Sequence, residues 1–360
     1  MATKKLVLID GHALAYRMFF ALPLEAFTTK EGEPTNATYG FTRTLMELVL
    51  ADNPPEYLAV SFDVGKTFRD DIFAEYKGTR EKMPDELRVQ IERIREVVQA
   101  LNIPVLELEG FEADDVLGTV AQQAKPHAVP VHIITGDRDL LQLVDDNTRV
   151  ELPTRGGRPP EIYDDAAVIK KFHVRPDQIV DYKALVGDSS DNIPGVRGVG
   201  PKTAARLLNK YETLDAIYDH VAEVKGAMGK KLADGKDNAY LSQKLARIVT
   251  DAPITLDIEA CRTQDFEGQP VLDMFRALEF RTLTNMLVEH LGDELDFISD
   301  ESSEPPTETI IVRSREQLDE LVNALNHAGI ISFDLETTSL NKMKADIVGI
   351  CLAVDTGSQC

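Results

Sequence analysis

Glu112-Ala-Asp-Asp115 packs three carboxylates into four residues just after Gly110-Phe111, where the following apolar spacing marks the start of a helix. At about 100° of rotation per residue, Glu112 and Asp115 share one side of that helix and Asp114 lies about a quarter turn from Asp115. Such a fan of hard oxygen donors suits divalent cations. A helix dipole also favours acids in a first turn, so the tetrapeptide alone does not separate a metal site from ordinary capping. Its company does. Three short apolar runs, at residues 4–10, 57–62 and 131–135, lead into Asp10, Asp63 and the pair Asp137 and Asp139. One aspartate at a strand end is ordinarily a turn residue; four, with a helix-start cluster beside them, point to a metal site.

The elements that would position these acids are strands alternating with helical stretches near residues 13–20, 38–50, 86–101 and 114–124. That alternation predicts an α/β fold with a mostly parallel central sheet flanked by helices. In open sheets of this kind sites form at the carboxyl ends of the strands, which is where the acids fall. The 360 residues, 43% hydrophobic and 28% charged, are enough for about two globular domains. Asp10, His12 and Arg17 interrupt the first apolar stretch, which is therefore neither a signal segment nor a membrane span. Cys261, Cys351 and Cys360 are too few for a disulfide framework. The chain reads as a cytoplasmic protein with reduced thiols and no membrane partner.

The net charge of −22 argues against a polyanionic partner only until it is mapped. Residues 195–247 hold 10 Lys and Arg against 6 Asp and Glu, whereas residues 251–309 hold 3 against 15. Between residues 66 and 95, Lys66, Phe68, Arg69, Tyr76, Lys77, Arg80 and Lys82 alternate basic and aromatic character around Gly78 and Pro84. Beside a metal site, such residues could hold a phosphate and stack on a splayed base. Asp188 and Asp191 add two acids in a loop rich in turn formers. The glycine-rich turn that follows, Gly195 to Thr203, meets neither nucleotide fingerprint: Pro201 stands where a P-loop needs lysine, and Thr203 where a dinucleotide motif needs glycine. A Gly198-Val-Gly200 turn between helices, followed by Lys202 and Thr203, instead suits a helix-hairpin-helix that grips DNA phosphate without reading sequence.

Residues 293–309 are acidic, contain Ser and Pro, and predict a flexible linker. Beyond it, a strand at 310–312, a helix opened by a Ser314/Gln317 capping box and a strand at 330–333 begin a second α/β domain. Some fifty residues are too few to bury a core of this type, so this domain is expected to be an incomplete fragment.

Taken together, the stretches at residues 10–17 (DGHALAYR), 62–63 (FD), 76–87 (YKGTR to MPDEL), 112–115 (EADD), 135–143 (TGDRDLLQL) and 187–208 resemble the 5′ nuclease domain of bacterial DNA polymerase I, in the family's order. FDLETTSL, beginning at Phe333, resembles the first motif of the 3′–5′ exonuclease domain that follows it in those polymerases. The resemblance implies a PIN-like 5′ nuclease fold over residues 1–175 with a helical arch at about 66–95. It implies a helix-hairpin-helix subdomain at 176–290, an acidic linker at 291–309 and an incomplete 3′–5′ exonuclease-like domain at 310–360. The implied activity is a structure-specific 5′–3′ exonuclease and flap endonuclease acting on 5′ flaps, nicks and RNA–DNA primer junctions, as a monomer, by two-ion hydrolysis with Mg²⁺ or Mn²⁺. By motif position, Asp10, Asp63, Glu112 and Asp114, with Asp115 beside them, serve one ion; Asp137, Asp139, Asp188 and Asp191 serve the other. Lys77 and Arg80 match the family's catalytic basic pair. Arg17, Phe68, Tyr76, Gly198, Gly200, Lys202 and Thr203 are the implied DNA contacts, with room for a monovalent cation at the hairpin. Asp334 and Glu336 are implied to be vestigial.

Two other readings are compatible with parts of the sequence. A junction-binding module with merely structural acids would bind without turnover. A Toprim-like domain would use Glu112 with Asp137 and Asp139, leaving Asp10, Asp63, Asp188 and Asp191 without a role.

Overall fold

Buried apolar runs alternating with amphipathic helices produce, in the computed structural model, a sheet built outward from its first strand. The structure describes residues 3–154, 159–263, 266–291, 311–329, 331–337 and 347–354. It divides into two compact units, Met1–Asp296 and Phe297–Cys360.

In the first unit, β1 (Thr3–Asp10), β2 (Pro55–Ser61), β3 (Val105–Leu106), β4 (Val131–Ile134), β5 (Thr148–Leu152) and β6 (Glu161–Tyr163) lie in the order β3-β2-β1-β4-β5-β6. All pairs are parallel except the last, β5 with β6. The order reverses at β1, since β2 lies on one side of it and β4 on the other, and this opens a crevice at the carboxyl ends of the strands. Leu6, Val7, Leu8 and Ile9 of β1 are all fully buried. They alternate between two cores, Leu6 and Leu8 on one face, Val7 and Ile9 on the other, as a strand with helices on both sides requires.

Helices α1 (Gly11–Ala21), α2 (Asn36–Val49), α3 (Phe68–Ile72), α4 (Asp85–Ala100), α5 (Ala113–Ala124) and α6 (Asp165–Phe172) complete the α/β layer. Asp10 ends β1 and caps α1 at once, its Oδ1 accepting from the Ala13 N–H at 3.0 Å. A side chain at Gly11 would place its Cβ 2.4 Å from the Phe62 ring, so only glycine lets strand end, helix start and the β2 loop meet.

The expected helical arch over residues 66–95 is not present as such. Five-residue α3 and most of α4 are helical there, but between them residues 74–79 are turns and 81–84 are irregular. Gly78 and Pro84 interrupt helical pairing, and Lys77 takes a left-handed φ of 54°. Most of α4 is a core helix, burying Leu87, Ile91 and Ile94.

A helical region follows: α7 (Ile179–Val186), α8 (Pro201–Tyr211), α9 (Leu214–Asp219), α10 (Ala227–Asp234) and α11 (Lys236–Ala246). The α7–α8 connection is the expected hairpin, turning through Gly198 at φ +83°. Beyond α11 the chain goes back to the sheet, where the expected subdomain boundary at 290 would have kept it apart. Leu58 N–H donates to the Cys261 carbonyl (2.7 Å) and Thr263 N–H to that of Glu56 (2.9 Å). Helices α12 (Gly268–Ala277) and α13 (Arg281–Leu291) then bury Val271, Leu272, Phe275 and Leu283 in the same core as α4.

One buried ion pair joins these parts. Arg69 of α3, 2% exposed, forms a two-pronged contact with Asp115 of α5 (2.6 and 2.8 Å) and donates to the carbonyls of Leu245 (2.9 Å) and Arg247 (2.8 Å). Asp115, fully buried, also accepts from the N–H groups of Glu112 (3.0 Å) and Val249 (2.8 Å).

The second unit holds α14 (Arg315–His327), opened by the expected Ser314/Gln317 capping box, and an antiparallel pair, β7 (Ile331–Thr337) and β8 (Ile347–Val354). Residues 311–313 are irregular, not a strand. Apart from Leu291, the expected acidic linker lies outside the described residues. Asp334 and Glu336 lie on β7, opposite Cys351 and Gly349, but their side chains lie outside the described set.

Removing one member of a buried pair strands the other charge, so Arg69→Met should cost about 3–5 kcal/mol of stability. Arg93→Met, which loses only the half-exposed Glu33 and Glu96 contacts, should cost at most about 1 kcal/mol. Urea unfolding of the two variants measures the contrast, and equal losses would show that the buried pair holds nothing together.

Candidate metal and nucleic-acid site

The crevice above β1 is an open cavity of about 1280 Å³. Asp10, Asp63, Glu112, Asp114, Asp137, Asp139 and Asp188 line it, carried by strand ends, the start of α5 and the loop after α7. Four of these carboxylates are oriented by local hydrogen bonds. Asp10 accepts from Ala13 N–H through Oδ1 and from Thr135 Oγ1 (2.7 Å) through Oδ2. Asp63 accepts from Ala113 N–H (2.7 Å), tying the β2 loop to the start of α5, while its own N–H donates to His12 Nδ1 (3.1 Å). Asp137 accepts from Asp139 N–H (2.8 Å), and Asp188 from the N–H (2.8 Å) and hydroxyl (2.5 Å) of Ser190.

The protein's own cations sit among these acids. Lys77 Nζ contacts Glu112 Oε1 at 2.8 Å, and Arg80 contacts Asp191 Oδ1 at 2.5 Å. Lys183 bridges Asp139 and Asp188, the latter at 2.6 Å. Burial pulls the Lys183 ammonium down, but Asp139 and Asp188 more than reverse this and hold it well above the usual lysine range. Asp188 feels the counterpart: burial raises it, Lys183 and Ser190 outweigh that, and it is lowered to about 2.

Elsewhere the internal cations do not suffice. Burial, with Asp63 and Asp137 nearby, pushes Asp10 up to about 7 despite its hydrogen bonds. Asp139 is likewise pushed up to about 7 by burial and Asp137, with Lys183 only partly opposing them. Asp114 lies well above the carboxylate range, from burial and then from Asp137, Asp10 and Glu112. Glu112 is raised by burial even with Lys77 and Arg69 beside it. An all-oxygen donor set short of positive charge fits hard divalent cations. The fit is one of chemistry, not of a preformed cage: among the described residues, no three acids close around a common point. Glu112, Asp139, Asp188 and Asp191 are instead held by lysine or arginine.

Several expected residues sit elsewhere. Asp115 is not among the cavity acids: α5 rotates it into the interior, where Arg69 and two N–H groups saturate it. Tyr76 is 6% exposed, with its hydroxyl 3.4 Å from both Glu112 and Asp191, so its ring is not available to stack on a base. Phe68 packs on Phe111 and under the Arg69 guanidinium, outside the cavity. Asp191 is buried just behind the lining and reaches the cavity through Arg80. Lys77, Arg80 and Arg17 do line it. Gly198, Gly200 and Lys202 are exposed on the hairpin, away from the cavity; Thr203 N–H is tied to the Gly200 carbonyl (2.9 Å). Lys231 Nζ lies 3.5 Å from the Gly198 carbonyl, an oxygen that a monovalent cation there would have to share with it.

Sequence reasoning missed His12, Tyr16, Phe20, Arg138, Phe172, Tyr182 and Lys183, all of which line the cavity. A signal existed for the first three, since positions 12, 16 and 20 recur at helical spacing directly after Asp10. Tyr16 and Phe20 stack at 6.4 Å, with Phe20 73% exposed.

Two family models match consecutive stretches of the chain: the 5′–3′ exonuclease N-terminal resolvase-like domain over residues 5–173, and the 5′–3′ exonuclease C-terminal SAM fold over residues 174–269. DNA polymerase I of Chloroflexus aurantiacus is 42% identical over 392 aligned positions, covering 100% of this chain and 41% of the relative. That of Bacillus subtilis is 45% identical over 293, covering 81% and 32%. The chain thus spans about two fifths or less of these curated relatives. In fold it is similar to the T5 5′-exonuclease with bound zinc ions (TM-score 0.57, 19% identity, covering 81% of this chain and 100% of that one). It is also similar to the catalytic core of Rad2 in complex with DNA substrate (TM-score 0.53, 19% identity, covering 81% and 92%). Nothing in the cavity favours the Toprim alternative, because Asp10 and Asp63 share it with the acids that reading would use.

The raised acids set the pH dependence of the metal-free protein. Between about pH 4 and 7 the folded state holds protons on Asp10 and Asp139 that the unfolded chain has released, and Asp114 is raised in the same direction, so stability falls as pH rises. His12, lowered by burial, opposes this through one group only. In EDTA the melting temperature should therefore be lower at pH 8 than at pH 5.5. Mg²⁺ or Mn²⁺ should narrow the gap, and Asp10→Asn should raise the metal-free value at pH 8. A melting temperature insensitive to both pH and ion would contradict the charge balance described.

Proposed function

The chain belongs to the 5′–3′ exonuclease family, and on that premise we propose that it is a divalent-metal-dependent 5′–3′ exonuclease and flap endonuclease, the nuclease part of a DNA polymerase I. The observation that carries this reading is the meeting, in one cavity, of Asp10, Asp63, Glu112, Asp114, Asp137, Asp139 and Asp188 with Lys77, Arg80 and Lys183. Acids alone would repel a phosphodiester, and basic residues alone would bind it without cutting.

Asp10, Asp63, Glu112 and Asp114 would hold one Mg²⁺ or Mn²⁺; Asp137, Asp139 and Asp188, with Asp191 behind them, would hold the second. Such ions supply Lewis-acid stabilisation of the phosphate and an activated water. Lys77 Nζ and the Arg80 guanidinium each stand on a carboxylate that a cation would take over, and both can then turn to phosphate oxygens. Hydrolysis adds water across the P–O3′ bond, leaving a 3′ hydroxyl and a 5′ phosphate. The exposed hairpin around Gly198, Gly200 and Lys202 would hold duplex phosphates away from the reacting bond. Substrates of this class are 5′ flaps, nicks and RNA–DNA primer junctions met in replication and repair, and the protein would act on them as a cytoplasmic monomer.

A 5′-labelled flap duplex should be cut with Mg²⁺ and left intact in EDTA; cleavage that survives EDTA would overturn the proposal. Asp63→Ala should abolish turnover while flap binding persists, and binding as weak as that of unrelated protein would remove Asp63 from its role. Lys77→Ala or Arg80→Ala should slow single-turnover cleavage by on the order of 100-fold with a smaller effect on affinity. Lys202→Ala should instead weaken duplex binding and reduce its salt dependence by up to about one unit. The reverse pattern would exchange the roles of the two basic elements.

A further inference from the structure

The cavity has a wall that the proposed chemistry leaves unused. Past Asp139 and Asp188 its lining turns apolar, through Pro153, Phe172, Ile179 and Tyr182. Phe172 closes α6 and Tyr182 stands on α7, immediately before Lys183. Their rings meet edge to face, with centroids 6.1 Å apart and planes at 80°. Both side chains pack partly on the main core and remain half-buried, so the pair is supported from behind and open to the cavity. The Tyr182 hydroxyl has no hydrogen-bond partner among the described residues, whereas those of Tyr163 and Tyr240 donate to Glu161 and Asp215, each at 2.7 Å.

What could rest there follows from the neighbours. Lys183 fixes the adjoining acids by bridging Asp139 and Asp188, and Arg138 lies exposed beside them. A strand whose phosphate is drawn to Arg138 and to a cation on those acids carries its base one sugar away, so the base meets the adjacent wall. A flat aromatic wall beside acids rejects another anion and accepts a neutral π face.

We propose that Phe172 and Tyr182 form a nucleobase subsite, on which the base next to the phosphate drawn to Arg138 and to the cation that Asp139 and Asp188 would hold stacks after leaving its neighbours, with the Tyr182 hydroxyl at its edge. The inference rests on the nuclease reading above. Every base offers a π face, so the subsite takes any of the four and fixes the strand's position, not its sequence. Tyr182 is thus a substrate-positioning residue.

The test uses the full chain and a flap duplex carrying, on either side of the cleaved bond, a normal base, an abasic residue or 2-aminopurine. Binding is measured in Ca²⁺ and single-turnover cleavage in Mg²⁺. At one of the two positions, removing the base and Tyr182→Ala should each weaken binding by on the order of 10- to 100-fold, and together no more than either alone. The 2-aminopurine emission there should change on binding to the wild type and to Tyr182→Phe, and not on binding to Tyr182→Ala. Should the alanine variant fail to fold, Tyr182→Leu, which keeps an apolar side chain but no ring, carries the same expectation. Additive effects, or an emission change that survives in the leucine variant, would overturn the subsite while leaving the nuclease reading intact. A wild type that neither binds nor cuts any flap would defeat both.

Discussion

The contact between Arg69 and Asp115 fixes how the helix bearing the acid cluster is turned. A guanidinium has five N–H donors in a rigid fork, and here they are divided between one carboxylate and two backbone carbonyls. With Asp115 locked inward, the rotation of about 100° per residue puts Asp114 towards the cavity. The same carboxylate takes the Glu112 N–H, so Glu112 becomes the first residue to turn out of the helix, within reach of Lys77. Three adjacent acids thus receive different roles from one buried pair: two face the solvent-filled crevice and one holds the scaffold.

Charge in the crevice follows from burial acting against repulsion. Lys183 outweighs burial at Asp188, which it helps to hold low, but only partly offsets it at Asp139, which also faces Asp137. The acids nearest β1 have no comparable neighbour: Asp10 relies on an N–H and a hydroxyl, and Asp114 faces three other acids. The positive charge provided by the chain is therefore concentrated at the rim and towards α7, and the deficit lies over the end of β1. On this uneven provision rests the proposed reading of the cavity as a receptor for cations and phosphate together.

Much of this was legible in the sequence because it depends on local pattern. The runs before Asp10, Asp63 and Asp137 have the length and apolar character of strands buried on both faces, and a parallel sheet necessarily gathers their carboxyl ends. The hairpin was legible for a similar reason, glycine spacing between helices. What could not be read were decisions made by distant residues. Nothing near Asp115 announces that Arg69, 46 positions earlier, will claim it. Tyr76 was expected to stack because it lies in a basic and aromatic run, yet contacts with Glu112 and Asp191 draw it inside. The family resemblance implied an arch at about residues 66–95, but around Gly78, Pro84 and the left-handed Lys77 the chain forms turns, held in part by the Lys77 N–H donating to the Asp191 carbonyl (3.0 Å). Lys183 escaped notice because a single lysine between ordinary helical residues carries no periodic signal.

The carbonyls of Leu245 and Arg247 and the N–H of Val249 that complete the Arg69–Asp115 contact have a consequence for the order in which the protein matures on the ribosome. Every acid lining the crevice has been synthesised by Asp188, and the boundary between the two family models falls earlier still, at residues 173 and 174. At that point the buried guanidinium and carboxylate lack three of their partners, and α5 is not yet secured in the orientation that directs Asp114 outward. Domains ordinarily fold as they emerge; here the contact is completed only by residues 245–249, some sixty residues after the last cavity acid. The growing chain thus carries all of its cavity acids well before the contacts that orient the start of α5 are complete.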